Sequence, residues 1–175
     1  MKAQRLSRRT IYESSRVNLY LDDVRFPNGL EIKDFHLLDF PSPAVAVILE
    51  DDSGQVMLAR IYRYTTGKTE WELPAGGVES GESEIEAAHR EVLEETGYES
   101  NDHRFIHSFY PISGIGNKVF HVVRCKAAAL VREFDPNEVS GTEWFDRDEI
   151  ARMIKAGEIS DGFTLTGLLL WLLDQ

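Results

Sequence analysis

The chain has 175 residues, 42 % of them hydrophobic, and a formal net charge of −11 from 30 acidic and 19 basic side chains. That apolar content is enough for one domain with a real core, while so acidic a chain argues against binding a nucleic-acid backbone. The single cysteine, Cys125, excludes an intramolecular disulfide and cysteine-rich zinc sites.

The N-terminal MKAQRLSRRT is basic but has no apolar stretch behind it, so it does not read as a signal peptide. Residues 11–40 alternate apolar and polar around Pro27-Asn28-Gly29, which predicts a small β-hairpin layer. Pro41-Ser42-Pro43 marks a break and divides an N-terminal β layer, 1–42, from a domain at 43–175. A short apolar strand is expected at 44–49, and Asp51-Asp52-Ser53-Gly54 turns the chain into a second at 55–62. Trp71-Glu72-Leu73-Pro74 leads into a loop punctuated by Gly76, Gly77 and Gly81, then a helix at 82–96. In that helix Ile85, Ala88 and Val92 recur at helical spacing, and Gly97 stands where a C-cap belongs. Strands follow at about 104–110 and 118–127, then a polar loop at 132–140 and a strand near 142–145. Cys125 falls in an apolar-alternating run and reads as a buried structural thiol. The five histidines show no metal-ligand spacing, and His103, His107 and His121 read as ordinary strand or loop residues. Helices are expected at 146–156 and 163–173, the second markedly apolar yet far too short to span a bilayer. A soluble cytoplasmic protein is the simplest account. Strands around isolated helices predict an α/β protein, a mixed-sheet α/β/α sandwich rather than a doubly wound parallel sheet.

Residues 76–98 carry the chemistry. They follow the pattern G-x5-E-x7-R-E-U-x-E-E-x-G-U, where U is bulky and apolar. Gly76, Glu82, Arg90, Glu91, Val92, Glu94, Glu95 and Gly97 are in place, with Tyr98 a loose fit to the last position. Seven fixed residues at about 7 % each would coincide by chance on the order of once in 10^8 windows. Glu91 and Glu95 are four apart and share a helix face, with Glu94 on its flank and Arg90 in reach of Glu86 or Glu94. A solvated acidic face is the plain alternative. Against it, the three glutamates repel one another, and the last two lie near the helix C-terminus, where each negative charge costs roughly 0.3–1 kcal/mol. No Lys or Arg follows within the helix to relieve them. A divalent cation would, and clustered carboxylates suit a hard ion such as Mg²⁺, with Mn²⁺ as a substitute. Such an ion also overcomes the repulsion between an acidic protein and a pyrophosphate, and it lowers the pKa of a water whose proton a nearby carboxylate accepts.

These residues resemble the motif of the Nudix hydrolase family, whose members cleave a nucleoside diphosphate linked to another moiety. The resemblance implies that Glu91, Glu94 and Glu95 hold metal, with the carbonyl of Ala75 as a further ligand. It also implies that Arg90 orients a glutamate and that Gly97 is structural. Outside the motif, nearly the whole chain is similar to the branch that hydrolyses ADP-ribose and other nucleoside diphosphate sugars. The likeness rests on the N-terminal strand layer, on LARIYR at 58–63, on WELPAGG at 71–77 and on KAGEISDGFTLTGLLLW at 155–171. In that branch the N-terminal layer exchanges across a homodimer and helps build the nucleotide site. Arg63 matches a substrate-contacting position, and its planar fork suits phosphate oxygens. Glu72, just before the loop, is a candidate for substrate or partner binding. Tyr62 and Trp71 either stack on a base or serve as core or dimer contacts. For the general base, the branch points to the loop at 133–138 and to Glu138, with Glu94 as the alternative.

Two departures stand out. Ile112-Ser113-Gly114 occupies the place of a usual Ser-Pro-Gly, and Asn117-Lys118 replaces a usual glutamate. Lys118 would more naturally meet a phosphate or a sugar acid than a metal. The expectation is therefore a homodimeric, Mg²⁺-dependent hydrolase with ADP-ribose as leading substrate, giving AMP and ribose 5-phosphate. Its rivals are a broader or GDP-mannose-type range, another Nudix substrate such as a dinucleoside polyphosphate or a nucleoside triphosphate, and a non-catalytic sugar-nucleotide sensor.

Overall fold

The structure, a computed structural model, describes residues 2–174. The chain divides into two units, Met1–Pro43 with Tyr110–Val119, and Ala44–Phe109 with Phe120–Gln175.

The first unit holds three antiparallel strands in sequence order, β1 (Gln4–Tyr12), β2 (Asn18–Arg25) and β3 (Glu31–Asp39). The expected hairpin is β2–β3. Its turn places Gly29 at φ 87°, with the Phe26 N–H donating to the Leu30 carbonyl at 2.8 Å. Strand β1 goes beyond the expectation, because its basic sequence has no buried apolar face to announce it: all nine residues are exposed. Segment 110–119 joins this unit through Leu38, whose N–H donates to the Ile115 carbonyl at 2.7 Å and whose carbonyl accepts from Asn117 at 3.2 Å.

The second unit is built on β4 (Ala44–Glu50), every residue of which is buried. Around it lie β5 (Val56–Arg63), β6 (Lys68–Glu72), β7 (Ala75–Gly77), β8 (Tyr98–Phe109), β9 (Phe120–Leu130) and β10 (Val139–Phe145). The strand order is β10-β5-β4-β9-β8, with β6 on β5 and β7 on β4. Among the described residues of this sheet only β4 and β9 run parallel, so the sheet is mixed. Three helices among the described residues complete the unit: α1 (Glu84–Thr96), α2 (Arg147–Ala156) and α3 (Gly162–Leu173).

The period of two along the strands decides which helix each residue meets. Val45, Val47 and Leu49 of β4, with Val123 and Cys125 of β9, pack against Ala87, Ala88 and Val92 of α1. Ile48 and Val122, from the same strands, point the other way, into the core with Ile150, Met153, Leu168 and Trp171 of α2 and α3. One helix covers one face and two cover the other, which is the expected α/β/α sandwich. Cys125 is buried there, and burial pushes its thiol up to about 12. Among the described residues, no helix is long and apolar enough to cross a membrane.

Helix α1 begins two residues later than periodicity predicts. Ser83 caps it, accepting from the Glu86 N–H at 3.2 Å while the Glu86 carboxylate accepts from the Ser83 N–H at 2.8 Å. This reciprocal pair satisfies two of the amides that a helix start leaves open, and it frees Glu82 for another partner. Strands β6 and β7 likewise lie outside the elements that the sequence pattern predicts. Ala75-Gly76-Gly77 is too short and too plain to carry a strand pattern, and only pairing with β4 makes it one.

Candidate active site

The site grows from the junction of β7 and α1. Pairing with β4 holds Ala75 and Gly76 straight, and the Pro74 carbonyl accepts from the Val47 N–H at 2.8 Å. Behind it the Leu73 N–H donates to Thr164 Oγ1 at 3.1 Å, which ties the loop to α3. The helix face bearing Glu91 and Glu95 lies against this backbone. A Cβ on Gly76 would overlap the Glu91 carboxylate. The motif glycine is thus required for space, since the carboxylate rests on the bare backbone.

Arg90 organises the other acids. Its Nε and Nη2 each donate to Glu82 at 3.0 Å, its Nη1 to Glu91 at 2.6 Å and to Glu94 at 3.2 Å, and its Nη2 to the Gly77 carbonyl at 2.8 Å. The Glu82 hydrogen bonds chiefly, then the one to Glu91 and the charges of both glutamates, hold this guanidinium firmly protonated. Of the two partners expected from helical spacing, Glu94 is met and Glu86 is not, because Glu86 is committed to the cap. Spacing alone gave no sign of the Glu82 contact, since the two residues meet only once the loop folds back on the helix.

Glu91 and Glu95 are 7 % and 5 % exposed, whereas Glu94 is about half exposed. Burial raises the Glu91 carboxyl, and the charges of Glu94 and Glu138 add to that, against the pull of Arg90. For Glu95 burial raises the carboxyl to about 8, with Glu91 and Glu138 adding to it, while the Ala75 N–H at 3.1 Å and the charge of Arg63 work against it. Two buried carboxylates side by side are strongly disfavoured as anions unless a cation compensates them. All the donors are hard oxygens, so the residues fit a divalent ion of the Mg²⁺ type. Among the described residues no three acidic, histidine or cysteine side chains converge as a ready-made cage. Mg²⁺ does not demand one, because it keeps several waters and takes only one or two carboxylates.

Arg63 and Glu72 are joined. Arg63 Nε donates to both Glu72 oxygens at 3.0 and 3.1 Å, and Nη2 donates to one of them at 2.6 Å. Glu72 is 2 % exposed, while the Arg63 side chain is nearly half exposed. Burial raises the Glu72 carboxyl despite Arg63. The carboxylate therefore sits beneath the guanidinium and aims it. Trp71 meets Phe145 edge-on at 5.2 Å, a core contact, and Tyr62 is 59 % exposed. Glu138 shares a cleft with Glu94, Arg132 and Asp135. The structure thus brings Ala75, Arg90, Glu91, Glu94, Glu95 and Glu138 into one neighbourhood. Lys118 belongs to the first unit, where its Nζ donates to the Ser42 carbonyl at 2.9 Å and lies 5.6 Å from the centre of the Phe40 ring. Burial lowers its pKa.

The domain model described as the NUDIX domain matches residues 40–164, well over half of the chain. The chain belongs to the Nudix family. This Nudix protein is 28 % identical over 167 residues to the ADP-ribose pyrophosphatase of Bacillus subtilis, spanning 94 % of this chain and 89 % of that one. It is also 28 % identical over 162 residues to the CMP-5'-(N-acetyl-N-hydroxy-3-aminopropyl)phosphonate hydrolase of Streptomyces rubellomurinus, over 92 % of this chain and 78 % of the relative. A solved structure of an ADP compounds hydrolase shares the fold with a TM-score of 0.85 at 21 % identity, covering 97 % of this chain and 92 % of that one. The expectation of a Nudix pyrophosphatase is borne out as an enzyme class, and enzymes of this family generally use a divalent metal.

Proposed function

We propose that this Nudix enzyme hydrolyses the diphosphate bond of nucleoside diphosphate sugars with Mg²⁺, and that ADP-ribose, split to AMP and ribose 5-phosphate, is its leading substrate. The observation that carries this reading is the paired burial of Glu91 and Glu95 on a glycine-lined backbone with Arg90 beside them. The end-to-end likeness to an ADP-ribose pyrophosphatase supports the substrate class.

In this reading Glu91, Glu94, Glu95 and the Ala75 carbonyl supply the metal ligands, with one or two of the carboxylates on any one ion. When bound, it supplies neutralisation of phosphate charge and a more acidic water. Arg90 fixes the carboxylates of Glu91 and Glu94, so that their orientation does not depend on substrate. Arg63, aimed by Glu72, meets the diphosphate with the exposed half of its fork. Glu138 or Glu94 accepts the proton of the attacking water, since each lies at the open side of the cluster where a water can reach it.

A second, broader reading has its own support in the likeness to a hydrolase named for a CMP-linked aminopropylphosphonate, which is not a sugar nucleotide, and in Ser113 and Lys118. It includes GDP-mannose-type sugar nucleotides. A homodimer is part of the proposal. Leu6, Ile11, Tyr12, Leu30 and Ile32 are exposed apolar residues on or beside strands β1 and β3, and a second copy of the layer would cover part of that apolar surface.

The test is product release from ADP-ribose, GDP-mannose, UDP-glucose, a diadenosine polyphosphate and a nucleoside triphosphate, with Mg²⁺ and again with EDTA. Cleavage of sugar nucleotides alone, abolished by EDTA, is the expected result. Turnover only of triphosphate or polyphosphate would refute the substrate class, and tight binding of sugar nucleotides without turnover would make the protein a sensor. Within the same panel Lys118→Met is expected to change the ranking of sugars by about tenfold, the weight of one charged contact. An unchanged ranking would remove Lys118 from the substrate site.

A further inference from the structure

Helix α1 has no basic side chain in its last turn, and its Arg90 is committed to Glu82, Glu91, Glu94 and the Gly77 carbonyl, so its C-terminal carbonyls have no cation from their own turn. The relieving cation comes from the segment after β9. Arg132 Nε donates to the Leu93 carbonyl at 3.1 Å. The N–H groups of Val131 and Arg132 donate to the Gly97 carbonyl at 3.0 and 3.4 Å, and that of Asp135 to the Glu94 carbonyl at 3.1 Å. Four hydrogen bonds thus fasten residues 131–135 to the last turn of α1 and its cap. Gly97 serves the same approach. It holds φ 78°, and a Cβ there would overlap the Arg132 carbonyl, so both the turn and the close passage call for glycine.

The fastening continues toward Glu138. Phe134 packs on Ala59, Ile61 and Val139. The Asp135 carbonyl accepts from the N–H groups of Glu138 at 3.2 Å and Val139 at 3.0 Å, which closes the turn into β10. Arg132, Glu94 and Glu138 line one cleft, and Glu138 lies near enough for its charge to act on both Glu91 and Glu95.

The geometry points to Arg132 as a positioning residue, whose guanidinium ties segment 131–138 to the carbonyl end of α1 and so holds Glu138 toward the Glu91–Glu95 pair. This rests on the proposed function, in which Glu138 takes the proton of the attacking water. An acceptor on an untethered loop would spend most of its time out of reach, and placement within a fraction of an ångström sets much of its effect on rate.

Arg132→Met keeps a long apolar stem and removes every donor, while Arg132→Lys restores the charge. With ADP-ribose and Mg²⁺, Arg132→Met is expected to lower kcat by about tenfold to a hundredfold while KM moves less than about threefold, and Arg132→Lys is expected to recover part of the loss. In a Glu138→Gln background, Arg132→Met is expected to cost nothing further, because the two residues act as one unit. Amide hydrogen exchange, measured without substrate or metal, is expected to quicken over 131–139 in Arg132→Met and to stay unchanged in β4 and β9. An additive loss in the double variant, a change confined to KM, or unaltered exchange over 131–139 overturns the proposal. Should the wild-type protein turn over none of the substrates, the proposed function falls, and the exchange measurement alone decides whether Arg132 clamps the segment.

Discussion

Glu95→Gln is expected to lower kcat/KM for Mg²⁺-dependent hydrolysis by about a thousandfold or more while the protein stays folded, as removal of one member of a catalytic set does. The two halves of that expectation have different causes. Activity falls because a neutral amide oxygen lacks the negative charge of a carboxylate and binds a hard divalent ion much more weakly. The fold survives because glutamine has the same shape and its oxygen can still accept from the Ala75 N–H. Burial already disfavours the Glu95 anion, raising its carboxyl to about 8, so a neutral side chain relieves a cost instead of adding one. With EDTA present, the variant should therefore melt within about 2 °C of wild type or above it. Mg²⁺ should raise the wild-type Tm through linkage and leave the variant unmoved. Unchanged turnover in Glu95→Gln would remove this residue from the metal site. A large fall in Tm with EDTA present would mean that its role is structural.

The motif was legible in the sequence because its geometry is local. Helical spacing alone puts Glu91 and Glu95 on one face, and a run of acids with no following cation announces an unmet electrostatic demand. What spacing does not carry is the tertiary half of each contact. Gly76 matters because a carboxylate fifteen residues later lies on its backbone. Arg90 chooses Glu82 over Glu86 because a serine cap claims Glu86 first. Arg132 answers the helix C-terminus from a segment that reads as an ordinary polar loop. The same distinction holds for the fold. Strand β4, apolar and wholly buried, and β9, apolar-alternating and partly buried, show in the sequence, whereas β7 exists only through its pairing with β4, and β1 has no buried face to mark it. Arg63 and Glu72 were singled out separately as substrate contacts, yet the structure makes them a pair in which the buried acid aims the half-exposed base. That coupling suggests losses that do not add when both are removed.

The last glutamate of β4 lies outside the motif and has the largest expected effect on stability. Glu50 is 3 % exposed and accepts from Arg124 Nε and Nη2, each at 2.8 Å, and from Trp171 Nε1 at 2.7 Å, with Lys126 Nζ at 3.3 Å. These partners come from β9 and α3, 74 to 121 residues away in sequence, so no pattern around position 50 reveals them. The carboxylate joins the central strand to its neighbour and to the C-terminal helix on the same sheet face. Glu50→Ala leaves the indole N–H without its acceptor and removes the buried carboxylate from Arg124 and Lys126, which keep Asp174 and the Asp51 carbonyl. Breaking a buried ion pair in this way costs roughly 3–5 kcal/mol, and because Arg124 and Lys126 are partly exposed the lower end, about 3 kcal/mol, applies. In a chain of this length that is a fall of roughly 6–12 °C in Tm. Burial works to raise the Glu50 carboxyl, but hydrogen bonds from Arg124 and Trp171 and the charges of Arg124 and Lys126 outweigh it and bring it below its ordinary value of 4.5. The unfolded chain therefore takes up this proton first as the solution is acidified. The contribution is fully present above about pH 4.5 and is lost as the pH falls through the folded value. Glu50→Gln, which keeps an acceptor for Trp171 but no charge, should show a smaller loss at neutral pH and a flatter decline of Tm in acid than wild type. Equal acid profiles for the two proteins would mean that Glu50 holds β4, β9 and α3 together by hydrogen bonding alone, with no net contribution from its charge.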